Sequence, residues 1–254
     1  MSRGVAQLVA RAVRDCEVAC SSQVAPTIIT RAFWARFLYN LIMIKKSTYD
    51  RNFKIAIAFN LAIIFFEIIG FMLAFSYNGW SALIFYTQDS NALALLASIL
   101  FICFSMWKML GHKSKFEPYV HLIKYAAVTS VTLTFIVVIT ILSWTTKYTL
   151  WQLLTMHSML YHHTICPLLC IISFVFFEKH NLKKQHAWAA LSFTFLYAIV
   201  TIFLNLIGEL EGPYPFLMVY SQPWWMSVIW CVVILGSAYI IARLLRFCNK
   251  KLHR

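Results

Sequence analysis

Two polar runs stand inside sequence that is otherwise apolar enough for a bilayer: Tyr86-Thr87-Gln88-Asp89-Ser90-Asn91, and Tyr161-His162-His163-Thr164 ahead of Pro167. Hydroxyls, a carboxyl, amides and two imidazoles are groups that exchange protons and hold polar atoms of a substrate. Ionisable side chains at membrane depth are costly, and by default they mark a functional site. Glu67, His157 and Asn205 stand in similarly apolar surroundings.

The elements that must carry these residues follow from composition. Of 254 residues, 61% are hydrophobic and 12% charged, too little polar surface to cover a soluble globule. Crossing a hydrocarbon core of about 30 Å takes roughly 20 apolar residues as a helix. Six stretches qualify: Phe53 to Tyr77, Ala82 to Trp107, Leu122 to Ser143, Leu150 to Phe177, Ala187 to Leu206 and Trp224 to Leu245. None shows the alternation of a barrel strand, so the prediction is an all-α polytopic membrane protein, a six-helix transmembrane bundle over 43–254.

The net charge of +13 marks topology rather than nucleic-acid binding. Lys45, Lys46, Arg51 and Lys54 precede the first span, Lys108, Lys113, Lys115 and Lys124 join the second to the third, and Lys179, Lys183 and Lys184 join the fourth to the fifth. Arg243, Arg246, Lys250, Lys251 and Arg254 follow at the C-terminal end, whereas the other three connections hold only Lys147, with Glu209 and Glu211 in the last. By the positive-inside rule both termini are cytoplasmic. The seven cysteines are an odd number without zinc spacing, and Cys103, Cys166, Cys170 and Cys231 fall within spans as small apolar side chains. No metal and no cofactor is expected.

Residues 1–42 differ from the remainder. They hold Arg3, Arg11 and Arg14 but no membrane-length run, and the Gly4 to Arg11 stretch resembles peptides produced when a tRNA gene is translated by mistake. The expectation is a disordered or spurious extension, with the genuine start at Met43, in preference to a targeting peptide.

Depth and facing draw the polar residues together. At about 1.5 Å per residue, Thr87 lies one and a half turns below the outer surface, His157 about 10 Å deep, and His162 and His163 near the midplane. Glu67 falls in the outer half of the first span and Asn205 near the outer end of the fifth, so every embedded polar group is expected in the outer half. At about 100° per residue, Gln152, Thr155, Ser158, His162, His163, Cys166, Cys170 and Ser173 share one arc of the fourth span, with His162 nearest its centre. Thr87, Ser90 and Asn91 share a face, and Asp89 points away from it. Pro167 removes a helical hydrogen bond and clashes with the carbonyl of His163, predicting a bend beside the histidines. Trp80, Trp144, Trp224 and Trp225 read as interfacial belt residues.

The run of Tyr86-Thr87 with Asp89-Ser90-Asn91, the run Leu160-Tyr161-His162-His163-Thr164 with Pro167, and the loop Gly212-Pro213-Tyr214-Pro215-Phe216 together resemble the androgen-induced and androgen-dependent membrane hydrolases of animals, in the form of their bacterial six-helix relatives. The resemblance spans about Phe53 to Leu245. It implies a threonine- and histidine-dependent hydrolase of lipid esters, in the animal members fatty acid esters of hydroxy fatty acids, in a multi-pass protein of a bacterial plasma membrane. The partners it implies are membrane lipids and a lipid-ester substrate, with no nucleic acid. Thr87 takes the place of the nucleophile. Spacing to the proline selects His162 as the base, whereas the His-Thr pair selects His163; the facing argument places His162 first. The chain departs from the animal pattern in its Gln88-Asp89-Ser90-Asn91.

On that reading imidazole takes the threonine proton, and an acyl-threonine is released by water. Asn91 or the first amides of the second span would hold the oxyanion, and Glu67 or Asp89 would orient the histidine. Asn205, His157 and Tyr214 would support the pocket. The Thr87 oxygen is then expected within about 3 to 5 Å of a histidine nitrogen. A proton-coupled carrier using Glu67, Asp89 and the histidines as a relay, or a non-catalytic scaffold, are the competing readings; against the carrier, no internal repeat or pair of interrupted helices is visible.

Overall fold

The computed structural model describes residues 51–111 and 115–253. The expectations for 1–42 and for a start at Met43 lie outside them. Six helices are long and apolar enough to cross a membrane, and no strand occurs among the described residues. They are α1 (Arg51–Asn78), α2 (Tyr86–Met109), α3 (Glu117–Val137, carried on to Thr145 by a wide turn at Val138–Leu142), α4 (Leu160–Phe177), α5 (His186–Leu206) and α6 (Trp224–Leu252).

The outside of the bundle is apolar and much of its interior is polar. Phe65, Met72, Val232 and Phe247 are exposed, while Asn60, Glu67, Lys124 and His162 are completely buried. That inversion is the pattern of a multi-pass membrane protein, whose solvent is hydrocarbon. α3 is the central element, buried continuously from Lys124 to Thr134 and packed against α2, α4, α5 and α6. Ala94, Ala97, Ala127, Ala187, Ala190, Ala238 and Ala242 sit at the helix contacts, where small side chains let backbones approach.

Four helix ends differ from expectation: α3 starts at Glu117 rather than Leu122, α6 runs on to Leu252 rather than Leu245, and the starts of the second and fourth helices move. The second helix begins at Tyr86 because Gly79–Ile84 forms a 3-10 turn entered through Gly79 at φ +55°. The stretch from Leu150 is not one helix. A short helix, Leu150–Thr155, opens with a capping box between Thr149 and Gln152. The chain then breaks at Met156, which is extended, and at His157, whose φ is +48°, before α4 begins. Below the break the predicted inward arc holds, with His162, His163, Cys166, Cys170 and Ser173 buried; above it, Gln152 is exposed. Pro167 lies inside α4, just past a change of helical pitch. It stands in the first turn of the α-helical stretch Cys166–Ile172, and the wider π-type turn Leu160–Ile165 that precedes it is the kind of local change of pitch that accompanies a proline within a helix.

The polar residues do not all gather in one half. At the lysine-rich end lies a second cluster centred on Lys124, which is fully buried in α3 and is not the loop charge that its place in the sequence suggests. Its Nζ donates to Asn60 Oδ1 at 2.6 Å and Ser98 Oγ at 3.0 Å and lies 3.8 Å from Glu178 Oε1. Glu178 also accepts from Asn60 at 2.8 Å, Ser173 at 2.6 Å and His180 Nε2 at 3.0 Å. His180 and His121 share a hydrogen bond between their Nδ1 atoms at 2.7 Å, and Asn249 of α6 donates to the main-chain oxygens of Phe174 and Glu178. Burial by itself raises the Glu178 carboxyl, but the Lys124 charge and the His180 hydrogen bond outweigh it and hold it down to about 2. Five of the six helices, or the residues that directly follow them, meet in this network.

Candidate functional site

Thr87 is the second residue of α2, whose N-cap, Phe85, offers no side-chain acceptor. The first amides of a helix need partners, and here tyrosines from elsewhere supply them. Tyr86 N donates to Tyr197 Oη of α5 at 3.1 Å and Thr87 N to Tyr214 Oη at 3.3 Å. Gln88 N and Asp89 N turn back to the Phe85 carbonyl. The early amides of α2 are therefore all engaged and are not the oxyanion donors expected from sequence.

Tyr214 reaches Thr87 from the loop between α5 and α6. Asn205 fixes that loop, donating to Leu210 O at 2.7 Å and accepting from Val219 N at 3.1 Å. Gly212 lies against the Leu217 carbonyl so closely that a Cβ there would overlap it. Tyr214 stacks on Phe216 with centroids 5.2 Å apart. Its phenol is buried, which pushes its pKa up, so it stays a hydrogen-bond donor. Its oxygen is 3.5 Å from Thr87 Oγ1.

His163 arrives through the broken approach to α4. The last carbonyls of the short helix have no helical partners. Leu153 O accepts from His163 Nδ1 at 2.7 Å, and Leu154 O from Thr164 Oγ1 at 2.8 Å. A carbonyl can only accept, so His163 carries its proton on Nδ1 and presents a lone pair on Nε2. That Nε2 lies 3.4 Å from Thr87 Oγ1.

The geometry thus joins Thr87 to His163 and not to His162, reversing the order that helical phase favours. A constant 100° per residue fails here because the π-type turn is wider than an α-turn and the helix does not extend back to Leu150. His162 instead faces α1. Its Nε2 is 3.4 Å from Glu67 Oε2, its ring lies 4.8 Å from that of Phe71, and it fills the space left by the missing side chain of Gly70. Asn91 donates to Thr87 O at 2.7 Å and His162 O at 3.1 Å, so it braces α2 to α4 and its NH2 is spent.

The other expected residues separate. The acids expected to orient the histidine do not touch His163: Glu67 meets His162, and Asp89 is half-buried with no hydrogen bond to its carboxylate among the described residues. Glu67, Asp89 and the histidines are not joined into a relay. His157 is exposed at the helix break, its ring 4.4 Å from that of Tyr77 and tilted against it. Sequence reasoning missed the Leu153 carbonyl and Tyr197. The first is a main-chain group that no residue identity announces; the second is one aromatic among many in an apolar helix.

A cavity of about 640 Å³, including its open mouth, runs from Thr87 and Tyr214 between α3, α5 and α6, past Leu133, Val137, Ala198, Trp230 and Ile234. Thr87, Tyr214, Tyr197 and Thr194 are among its few polar members, and the rest suits a hydrocarbon chain. Among the described residues no three metal-ligating side chains converge. Comparison with protein-family models, curated proteins and solved structures finds no match to this chain.

Proposed function

We propose that this chain is a membrane-embedded lipid-ester hydrolase, with Thr87 as nucleophile and His163 as base, related to the androgen-induced and androgen-dependent hydrolases that its three motifs resemble. One observation carries the reading: the aligned series Thr87 Oγ1, His163 and Leu153 O, with separations of 3.4 and 2.7 Å, at the polar end of an apolar cavity. It has the order of nucleophile, base and orienting group found in hydrolytic triads, with a main-chain carbonyl as the third member.

The acyl chain occupies the cavity and brings its ester carbonyl to Thr87. His163 Nε2 takes the hydroxyl proton as Oγ1 bonds to the carbonyl carbon, and the C=O electron pair moves onto oxygen. Thr87 N–H already occupies the Tyr214 oxygen, which leaves the phenolic hydrogen free to point at that oxyanion. The N-terminus of α2 adds a positive field. Collapse breaks the ester C–O bond, and the leaving alkoxide takes the proton from His163. Water then attacks the acyl-threonine, gives its proton to His163, and the carboxylic acid leaves as Thr87 regains its hydrogen. The charge distribution supports cytoplasmic termini, with the site in the outer half of a bacterial plasma membrane.

The test is labelling of purified protein with a fluorophosphonate. Labelling is expected in the wild type and in His162→Ala, and is expected to be lost in Thr87→Ala and His163→Ala. Labelling that persists in Thr87→Ala removes Thr87 as nucleophile; loss in His162→Ala with retention in His163→Ala reassigns the base.

A further inference from the structure

The cavity beside Thr87 has a closed wall and an open one. Leu133 and Val138 of α3 and Phe216 of the loop line it and are buried, whereas Ala198 of α5 and Cys231 and Leu235 of α6 line it and stay partly exposed. The change falls partway along single helix faces. On α6, Cys231, Leu235, Ala238, Ala242 and Leu245 follow at three- or four-residue spacing and so share a face; the last three are buried and the first two are not. On α5 the corresponding face is buried at Ala190 and Thr194, open at Ala198, and buried again at Thr201 and Asn205. The two helices are therefore joined on both sides of a window and part at it. On one side their small residues pack together and the Trp188 and Tyr239 rings lie 4.8 Å apart. On the other, the loop fixed by Asn205 closes over, with the Phe216 ring 5.6 Å from that of Trp230. Phe195, Ile199, Val228 and Val232 are exposed around the opening, and 191–204 and 224–242 contain no charged residue. A surface of that composition meets hydrocarbon.

We infer, building on the hydrolase reading, that this window is a lateral portal, and that the substrate is a bilayer lipid whose acyl chain enters between α5 and α6 rather than an ester drawn from water. A chain that moves from hydrocarbon through the window into an apolar cavity never exposes its surface to water. Its ester carbonyl then meets Thr87 at the start of α2, close to the membrane surface. An aqueous ester would instead need a mouth among polar side chains at the end of the bundle, and there Tyr214, Phe216 and Leu217 lie buried over the cavity. Ala198 is the smallest side chain on the rim, so its methyl group keeps the passage open, and a bulky residue in its place fills it.

The experiment uses the full chain in phospholipid vesicles and two esters of one fluorogenic alcohol, methylumbelliferyl palmitate, which partitions into the bilayer, and methylumbelliferyl acetate, which dissolves in water. Ala198→Phe is expected to lower the palmitate-to-acetate ratio of kcat/KM about tenfold or more, and Ile199→Phe, beside it on the lipid-facing side, to leave the ratio within about twofold. Should Ala198→Phe fail to fold, Cys231→Phe on the opposite rim carries the same expectation. A ratio that the rim variants leave unmoved overturns the portal. The second readout does not need hydrolysis: a glycerol monoether with a diazirine at the end of its chain is dissolved in the vesicles and irradiated, and its adducts are mapped by mass spectrometry. Adducts on the buried Leu133 and Val138 are expected in the wild type and should fall about tenfold in Ala198→Phe, while those on exposed Val228 persist. If the wild type cleaves neither ester, the hydrolase reading fails and the adducts decide the portal separately. Labelling of Leu133 and Val138 that a rim variant removes upholds it; labelling confined to the outer faces, or unchanged by the rim variants, overturns it.

Discussion

The two polar clusters of this bundle are built on opposite principles. At the Lys124 end, Asn60 and Ser98 hold the buried cation, and Asn60 also the buried carboxylate, at 2.6 to 3.0 Å; the two charges are 3.8 Å apart, and the cluster joins five helices. At the Thr87 end the separations from Oγ1 are 3.4 and 3.5 Å, and a cavity adjoins the hydroxyl. Buried polar groups that are fully paired fix a structure, whereas groups left with spare capacity beside a cavity are available to a substrate. The difference separates a staple from a site within one membrane interior.

Thr87→Ala breaks the comparison hardest. Ester hydrolysis is expected to fall on the order of 10⁴-fold or more, as for loss of a nucleophile that acts with its base as a unit, while thermal unfolding in detergent shifts by less than about 1 kcal/mol. The reverse is expected of Lys124→Met, which leaves the buried Glu178 carboxylate with its hydrogen bonds from Asn60, Ser173 and His180 but without the lysine charge. It costs about 3 to 5 kcal/mol of stability, and adding Glu178→Gln should recover part of that. Comparable destabilisation by both single variants would erase the distinction between staple and site.

The staple has a pH signature of its own. The Glu178 carboxyl is held below its ordinary 4.5, at about 2, so its contribution is complete above pH 4.5 and is lost as pH falls towards 2. Acid unfolding curves of wild type and Glu178→Gln should therefore converge over that window and separate above it. Parallel curves would show that the Lys124 pair does not carry the effect.

Within the site, Tyr214→Phe keeps the stacking but removes the phenolic donor. A loss of about 10² to 10³ in kcat is expected if Tyr214 holds the oxyanion, and a rise in KM alone would make it a binding residue. Gly70→Ala is the mildest change. Its methyl overlaps His162, at a cost of about 1 to 3 kcal/mol, and it displaces the turn that carries His163 without touching the reacting groups. Unaltered kcat in that variant would show that the His162 contact with α1 does not position His163.

Much of the fold was legible because lipid imposes a simple rule. A helix must be long and apolar enough to span, so six stretches of suitable length yielded six helices, α1 and α5 within two residues of the expected bounds and α2, α3 and α6 displaced at one end by four to seven residues. The fourth failed because Met156 to Met159 contain no glycine or proline to announce a break; the left-handed His157 is tolerated for its tertiary surroundings. That break decides the histidine. Thr87 and the pair His162-His163 stood out by polarity, but only the π-type turn and the freed carbonyl of Leu153 chose His163.

Lys124 shows the same limit from the other side. Counted as a loop charge, it is a buried ion, because α3 starts at Glu117 and brings it inward beside Glu178, 54 residues away in sequence. Sequence alone determined the all-helical membrane class, the polarity anomalies and the distribution of basic residues, since these depend on composition and local periodicity. Tertiary structure decided which imidazole faces the hydroxyl, what orients it, and which polar cluster is a staple, because those depend on main-chain groups and on helix contacts that residue identities do not encode locally.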